Sequence, residues 1–165
     1  MIYLALYKGH KTLDLKKPLT FLSRFCDYVI RVLTRSKYSH CEIAIKRTNV
    51  ISHSYIETYY NCYSSSLRDG GVRTKRIEQS TLENSEKWDL IYLSNLRDYQ
   101  VINYFNQTKG RKYDVLGVLG LIFGIKDARN KFFCSEWCYN VITNTQNGWR
   151  FNPGDLAVIF NKTKE

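Results

Sequence analysis

The chain has 165 residues, a length that suits one folded domain, so we expect residues 1–165 to form a single domain. Hydrophobic residues make up 44% of the sequence and aromatic residues 15%, which excludes a disordered or low-complexity protein. The formal net charge is +10, and a positive field of this size favours an anionic partner, such as nucleic acid or a membrane surface, over a neutral one.

The first half of the chain predicts one helix and several strands. Residues 2–7 read as a buried strand, and residues 19–35 read as an amphipathic helix with a basic outer face. Four further strands are expected, and a turn at Asp69-Gly70-Gly71 separates two of them. We predict these strands over residues 38–46, 58–66, 72–77 and 88–93, with an apparent insertion at 47–60.

The second half predicts mainly helices, over residues 97–109, 114–123 and 135–143 and after Pro153. The glycines at 117, 120 and 124 lie at near-helical spacing, which is typical of a closely packed core helix or of a smooth wall for an acyl chain. Consecutive strands followed by helices predict a segregated α+β fold with an antiparallel sheet, not an alternating βαβ fold.

The cysteines indicate a reduced environment. There are five, at positions 26, 41, 62, 134 and 138, and no recognisable secretion signal precedes them, so we expect free thiols and a cytoplasmic location. The chain has no Cys-x-x-Cys pair, and the spacing of Cys134 and Cys138 is not that of a zinc finger, so no metal and no cofactor are expected. The longest apolar run, at 115–125, is too short to span a bilayer.

Cys134 and His40 are candidates for thiol catalysis; the alternatives are a buried structural cysteine and a sheet histidine with a structural role. Cys134 stands in FFCSEWCYN, where a helical pattern begins, and the positive end of a helix dipole lowers a thiol pKa from about 8.5. Backbone N–H groups of the same turn can stabilise an oxyanion. His40 lies in the alternating strand YSHCEIAIK, on the face that carries Glu42 and Ala44.

Five segments together resemble a known family: YSHCEIAI, CYSSSLRDGGVR, KYDVLG, FFCSEWCYNVI and NPGDLAV. In this order they are similar to the permuted NlpC/P60 group of papain-like hydrolases, the YiiX/YebB-like proteins, and especially to the small members carried by phages. The resemblance runs from the N-terminal strand to the PGDL segment. It implies a circularly permuted papain-like fold, in which an antiparallel sheet packs against helices.

The resemblance also implies site residues. Cys134 matches the nucleophile and His40 the base, while Tyr113, Ser135 and Tyr38 are candidate substrate-binding residues. The family places a polar orienting residue on the strand after the histidine. That strand reads NCYSSS here, so the third catalytic residue falls at Ser64 or Ser65, with Glu57 or Glu42 as substitutes.

The leading hypothesis is therefore a cysteine amidase, peptidase or esterase that acts on a peptide, an isopeptide or a lipid amide through a Cys134 acyl-enzyme. The alternative is a catalytically weak or inactive module on the same fold that binds nucleic acid or another anionic partner, as the net charge of +10 allows. A third possibility, inhibition of a host defence by protein contact, is neither supported nor excluded by the sequence.

Overall fold

The computed structural model describes residues 1–9, 28, 30–32, 34–52, 55–114 and 131–161. Its strands are β1 (Ile2–Tyr7), β2 (His40–Ser52), β3 (Tyr55–Ser66), β4 (Gly71–Glu78) and β5 (Trp88–Tyr92). Its helices are α1 (Gln79–Leu82), α2 (Asp98–Thr108), α3 (Cys134–Thr143) and α4 (Pro153–Asn161), with a short 3-10 turn at Gly148–Arg150. Residues 28, 30–32 and 34, within the predicted basic helix, are helical too.

The five strands form one antiparallel sheet in the order β4-β3-β2-β1-β5. The predicted α+β class with an antiparallel sheet is therefore confirmed. The predicted lengths of two strands, β2 and β3, were too short. The insertion predicted at 47–60 is extended strand in its described residues: 47–52 continue β2 and 55–60 begin β3, since the ladder runs on from Lys46 opposite Tyr60 to Val50 opposite Ile56.

The two faces of the sheet differ in the size of their side chains. On one face, Cys41, Ile43 and Ile45 are fully buried and pack with the helices in the main core. On the other face, small residues dominate the centre, namely Ala5, Ala44, Cys62 and Ser64. Because these side chains are short, they leave space above this face of the sheet for a cleft.

Helix α3 lies on the main-core face and places its first residue beside the start of β2. Trp137 anchors this helix, because its side chain is fully buried and its Nε1 donates to Thr108 Oγ1 at 3.0 Å. Asn140 fixes the segment that follows the helix by accepting the backbone N–H of Gly148 at 2.8 Å. These contacts hold Cys134 in place from within the core.

Gly71 allows a close approach that positions the segment before residue 115. Its φ is +153°, and a Cβ at this position would lie 2.0 Å from the carbonyl oxygen of Arg111. Lys112 bridges to Gly71, and Tyr113 donates its backbone N–H to the carbonyl of Gly70 at 3.1 Å. Only glycine leaves space for this contact, which brings Tyr113 to the sheet.

The remaining predictions are matched within the described ranges. The helices predicted at 97–109 and 135–143 and after Pro153 are present with small shifts of their ends. The helix predicted at 114–123 lies outside the described residues, except for Asp114. In the part of the chain that the structure describes, no helix is long and apolar enough to cross a membrane.

Candidate active site

Cys134 and His40 meet where α3 and β2 begin. The Cys134 sulfur and the His40 ring lie close enough to shift each other's pKa by charge and hydrogen bonding, although 94 positions separate the two residues in the sequence. Cys134 is only 3% exposed, and the His40 side chain is 19% exposed. The structure thus brings together the nucleophile and the base that the sequence predicted.

Glu42 holds the other side of the His40 ring. Its Oε1 lies 3.0 Å from His40 Nε2, and the Glu42 side chain is almost completely buried. Because Glu42 uses Nε2, Nδ1 is the ring nitrogen left for the Cys134 sulfur. A thiol, an imidazole and a carboxylate thus follow one another. In thiol hydrolases these groups serve as the nucleophile, the base and the residue that orients the base.

Arg73 fixes the carboxylate in turn. Its Nη2 donates to Glu42 Oε1 at 2.7 Å, and its Nε donates to Asp69 Oδ2 at 2.7 Å. Arg73 stands on β4 and reaches Glu42 on β2 across β3, where its register partner is Ser64. The short Ser64 side chain leaves space for the guanidinium to cross, so a larger residue there would block this contact.

The pKa shifts favour a thiolate–imidazolium pair. A hydrogen bond from the Cys41 thiol is the largest influence on Cys134; with the His40 charge and the Cys41 backbone N–H, it outweighs burial and holds the Cys134 pKa well below its usual value. Burial lowers the pKa of His40, but the charges and hydrogen bonds of Cys134 and Glu42 raise it to about 10. Both shifts favour the form in which the sulfur is negative and the ring is positive.

The carboxylate end of the series is charged as well. Burial raises the pKa of Glu42, but the hydrogen bond and charge of His40, followed by those of Arg73, bring it down to about 2. The guanidinium and the imidazolium thus share one carboxylate, and the buried charges compensate each other.

The start of α3 supplies further stabilisation for negative charge. Phe133 precedes the helix in an extended conformation, and Cys134, Ser135 and Glu136 form the first helical turn. The backbone N–H groups of a first turn have no acceptor within their own helix, and they carry the positive end of the helix dipole. They are placed to stabilise a thiolate, or the oxyanion of a carbonyl that the sulfur attacks.

The two serines predicted as the third catalytic residue have other partners. Ser64 Oγ donates to the carbonyl of Cys41 at 2.7 Å, and Ser65 Oγ donates to the carbonyl of Phe132 at 2.6 Å. Both side chains are fully buried. The geometry therefore does not place a serine hydroxyl on His40. Glu57 is paired with Arg76 on the hairpin, so Glu42 is the substitute that contacts the imidazole.

The three predicted substrate-binding residues lie in different places. Tyr113 is half-buried and lines the same cleft as His40. Tyr38 instead donates its hydroxyl to Asp89 Oδ2 at 2.6 Å and borders a separate groove beside α4. Ser135 is fully buried in the first turn of α3, so its side chain is not presented at the surface. Tyr113 is the one of the three whose position suits contact with a substrate at His40.

A cleft of about 300 Å³, here named the His40 cleft, opens on the face of the sheet with the small side chains. His40 and Glu42 lie in it; Arg73, Lys75 and Ile77 line it on the β4 side, and Tyr7, Lys87 and Trp88 line it on the β1–β5 side. Sequence reasoning missed Arg73. The signal available was the pattern VRTKRI, which places Arg73 and Lys75 on one face of β4.

Among the residues that the structure describes, no three or more His, Cys, Asp or Glu side chains are grouped so that they could hold a metal ion. The cysteines at 41, 62, 134 and 138 are free thiols. In comparisons with known proteins, no family model matches the chain, and no curated protein matches it either.

Proposed function

We propose that this chain is a cysteine hydrolase of the circularly permuted papain-like type, which cleaves an amide or ester bond through a Cys134 acyl-enzyme. The observation that carries the proposal is the series from Cys134 through His40 to Glu42, in which the His40 ring interacts electrostatically with the buried Cys134 sulfur and lies 3.0 Å from the buried Glu42 carboxylate. A nucleophile, a base and an orienting carboxylate in contact form a catalytic arrangement that recurs on unrelated folds. The order of His40 before Cys134 in the chain is what the permuted form of the fold would require.

The geometry supports a two-step reaction. The Cys134 thiolate attacks the substrate carbonyl, and the oxyanion that develops faces the N–H groups of the first turn of α3. His40 then gives its proton to the leaving amine or alcohol as the bond breaks. Water, activated by the neutral His40 ring, hydrolyses the thioester, which releases the acid and restores the ion pair. Glu42 keeps Nδ1 of the ring directed at the sulfur in both steps.

The substrate class follows from this chemistry: a peptide, an isopeptide, a lipid amide or a related ester. Each of these offers a carbonyl that a thiolate can attack and a leaving group that an imidazolium can protonate. The binding-module alternative shares the fold and the charge of +10, but it requires neither the Cys134 thiolate nor His40.

The test is acylation by p-nitrophenyl acetate, an ester that needs no specific recognition. We expect a burst of p-nitrophenolate at neutral pH and one acetyl group on Cys134, detected by peptide mass spectrometry. Cys134→Ser and His40→Ala should each abolish the burst. Cys138→Ala is the matched control, because Cys138 is a buried thiol one turn further along α3, and this variant should keep the burst.

Acetyl transfer to Cys134 at a rate no higher than to the other thiols would overturn the proposal. Circular dichroism of each variant separates loss of chemistry from loss of folding. If all variants fold and none differs from the wild type in acylation, the chain is a binding module and not a hydrolase.

A further inference from the structure

The described residues that line the His40 cleft carry more positive than negative charge. The cations are Arg68, Arg73, Lys75 and Lys87, and the carboxylates are Glu42 and Asp69. Both carboxylates are bonded to Arg73, and Glu42 is also bonded to His40. Both carboxylates of the cleft are therefore already bonded to cations of the protein, whereas part of the positive charge is not paired in this way.

Lys75 and Lys87 are the cations that remain for a ligand. The Lys75 side chain is 57% exposed, and its Nζ lies 3.6 Å from an oxygen of Asp69, a carboxylate that Arg73 holds more closely. Lys87 is exposed and makes no ion pair with any of the described residues. Lys75 stands on β4 and Lys87 just before β5, at opposite edges of the sheet, so the two ammonium groups flank the cleft.

The wall beside Lys87 is aromatic. The rings of Tyr7 and Trp88 pack with their centroids 4.9 Å apart, and both residues line the cleft. Ile77 adds an aliphatic surface on the β4 side. Aromatic and aliphatic walls with a few placed charges are typical of sites for ligands that have an apolar body and a charged end.

Building on the proposed hydrolase function, we propose that the His40 cleft selects substrates that carry an anionic group, a carboxylate or a phosphate, on an apolar or aromatic moiety. Lys75 and Lys87, on opposite sides of the cleft, attract the anion by their charge, and Tyr7 and Trp88 contact the apolar part. The cleft adjoins the reactive sulfur through His40, which lines the cleft and interacts with Cys134. Neutral substrates of the same shape lose this attraction.

Two alkylating agents that differ in charge test this selection without knowledge of the natural substrate. Iodoacetate is an anion, iodoacetamide is its neutral counterpart, and both alkylate the same thiolate. We expect the ratio of the two rate constants at Cys134, iodoacetate over iodoacetamide, to fall roughly three- to tenfold in the double variant Lys75→Gln/Lys87→Gln, since screened charges near a cleft raise the local concentration of anions by such factors. The rate with iodoacetamide should stay unchanged.

Lys109→Gln/Arg150→Gln is the matched control. Both residues are exposed, neither lines the cleft, and the variant loses the same two charges. Its ratio should equal that of the wild type. If the ratio falls equally in both double variants, the effect is one of net charge and the proposal is overturned. A ratio that falls in neither variant would overturn it as well. A Cys134 that reacts with neither reagent would instead contradict the proposed hydrolase, so the two failures are distinguishable.

Protection of Cys134 from iodoacetamide separates the two sources of the anion. Phenylacetate supplies a carboxylate and phenyl phosphate a phosphate, each on an aromatic ring, and benzyl alcohol is the neutral control. We expect at least one of the anions to protect the wild type and to lose this effect in Lys75→Gln/Lys87→Gln. The anion that protects better identifies the recognised group. Equal protection by benzyl alcohol would contradict anionic selection.

Discussion

Glu42 stands two residues after His40 on the same face of β2, with its Oε1 3.0 Å from His40 Nε2. Because alternate residues of a strand share a face, the backbone of a single strand sets the spacing of base and orienting carboxylate. β2 is a central strand that pairs with β1 and β3, so the spacing does not depend on a loop. The contact between the His40 imidazole and the Glu42 carboxylate is therefore as rigid as the sheet.

The pH dependence of Cys134 alkylation should report the ion pair. The Cys134 pKa is lowered and the His40 pKa is raised to about 10, so the wild-type rate constant with iodoacetamide should stay nearly constant from about pH 6 to pH 9. In His40→Ala, the thiol loses its cationic partner, and the rate should rise with pH as for an ordinary thiol of pKa about 8.5. The expected deficit at pH 6.5 is roughly 100-fold.

Cys62 serves as the internal control in this measurement. Burial is the largest influence on its thiol and raises its pKa, so its peptide should remain unlabelled across the same range. A wild-type profile for Cys134 that follows an ordinary thiol would contradict the ion pair.

Arg73 and Arg76 offer a matched pair of substitutions on β4. Arg73→Lys loses the planar fork that donates to both Glu42 and Asp69, and it leaves a buried carboxylate without one of its hydrogen bonds. The free energy of unfolding should fall by about 1–3 kcal/mol. Arg76→Lys changes an exposed pair with Glu57 and should cost distinctly less, because water screens that pair. Urea unfolding, followed by circular dichroism, measures both, and equal costs would show that the buried series adds no stability.

Acid should destabilise the protein through Glu42. The pKa of this carboxyl is about 2 in the folded state and near 4.5 in the unfolded chain, so the unfolded state binds the proton first as the pH falls. The stabilisation is complete above about pH 4.5 and is lost progressively as the pH falls towards 2. Glu42→Gln removes this titration, so its melting temperature should fall less steeply between pH 5 and pH 2.

Glu57→Gln is the control for acid stability, since Glu57 lies in the hairpin and pairs with the exposed Arg76. Its melting temperature should follow the wild-type slope. If the melting temperature of Glu42→Gln also follows the wild-type slope, the neighbours of Glu42 do not lower the pKa of its carboxyl in the folded state.

Gly71 and Gly70 should respond differently to alanine. Gly71→Ala forces a Cβ against the carbonyl oxygen of Arg111, 2.0 Å away, and displaces the segment that carries Tyr113. We expect a loss of stability of about 2–4 kcal/mol and slower acylation of Cys134. Gly70 has a φ of +80°, and a Cβ added there would meet no atom within 4 Å, so Gly70→Ala costs only the left-handed conformation, about 1 kcal/mol. Thermal unfolding measures the stability of both variants. Equal losses of stability would contradict the close contact at Gly71.

Local sequence pattern was enough to predict most of the strands and helices, the strand that carries His40 and Glu42, and the helix start at Cys134. The alternation of His40, Glu42 and Ala44 against Cys41, Ile43 and Ile45 predicts a strand with two distinct faces, because period-2 burial is a local property of the backbone. The helical pattern after Cys134 predicts a thiol at a helix start for the same reason. These signals lie within a few residues of each other, so they need no knowledge of the rest of the chain.

The sequence by itself determined that Cys134 begins a helix and that His40 and Glu42 share a strand face. Only the tertiary structure decided that Glu42, and not Ser64 or Ser65, contacts the imidazole, and that Arg73 crosses β3 to hold it. The physical reason is that strand register and the crossing of side chains over small neighbours depend on residues far apart in the chain, and the sequence pattern of one strand carries no information about its partner's register.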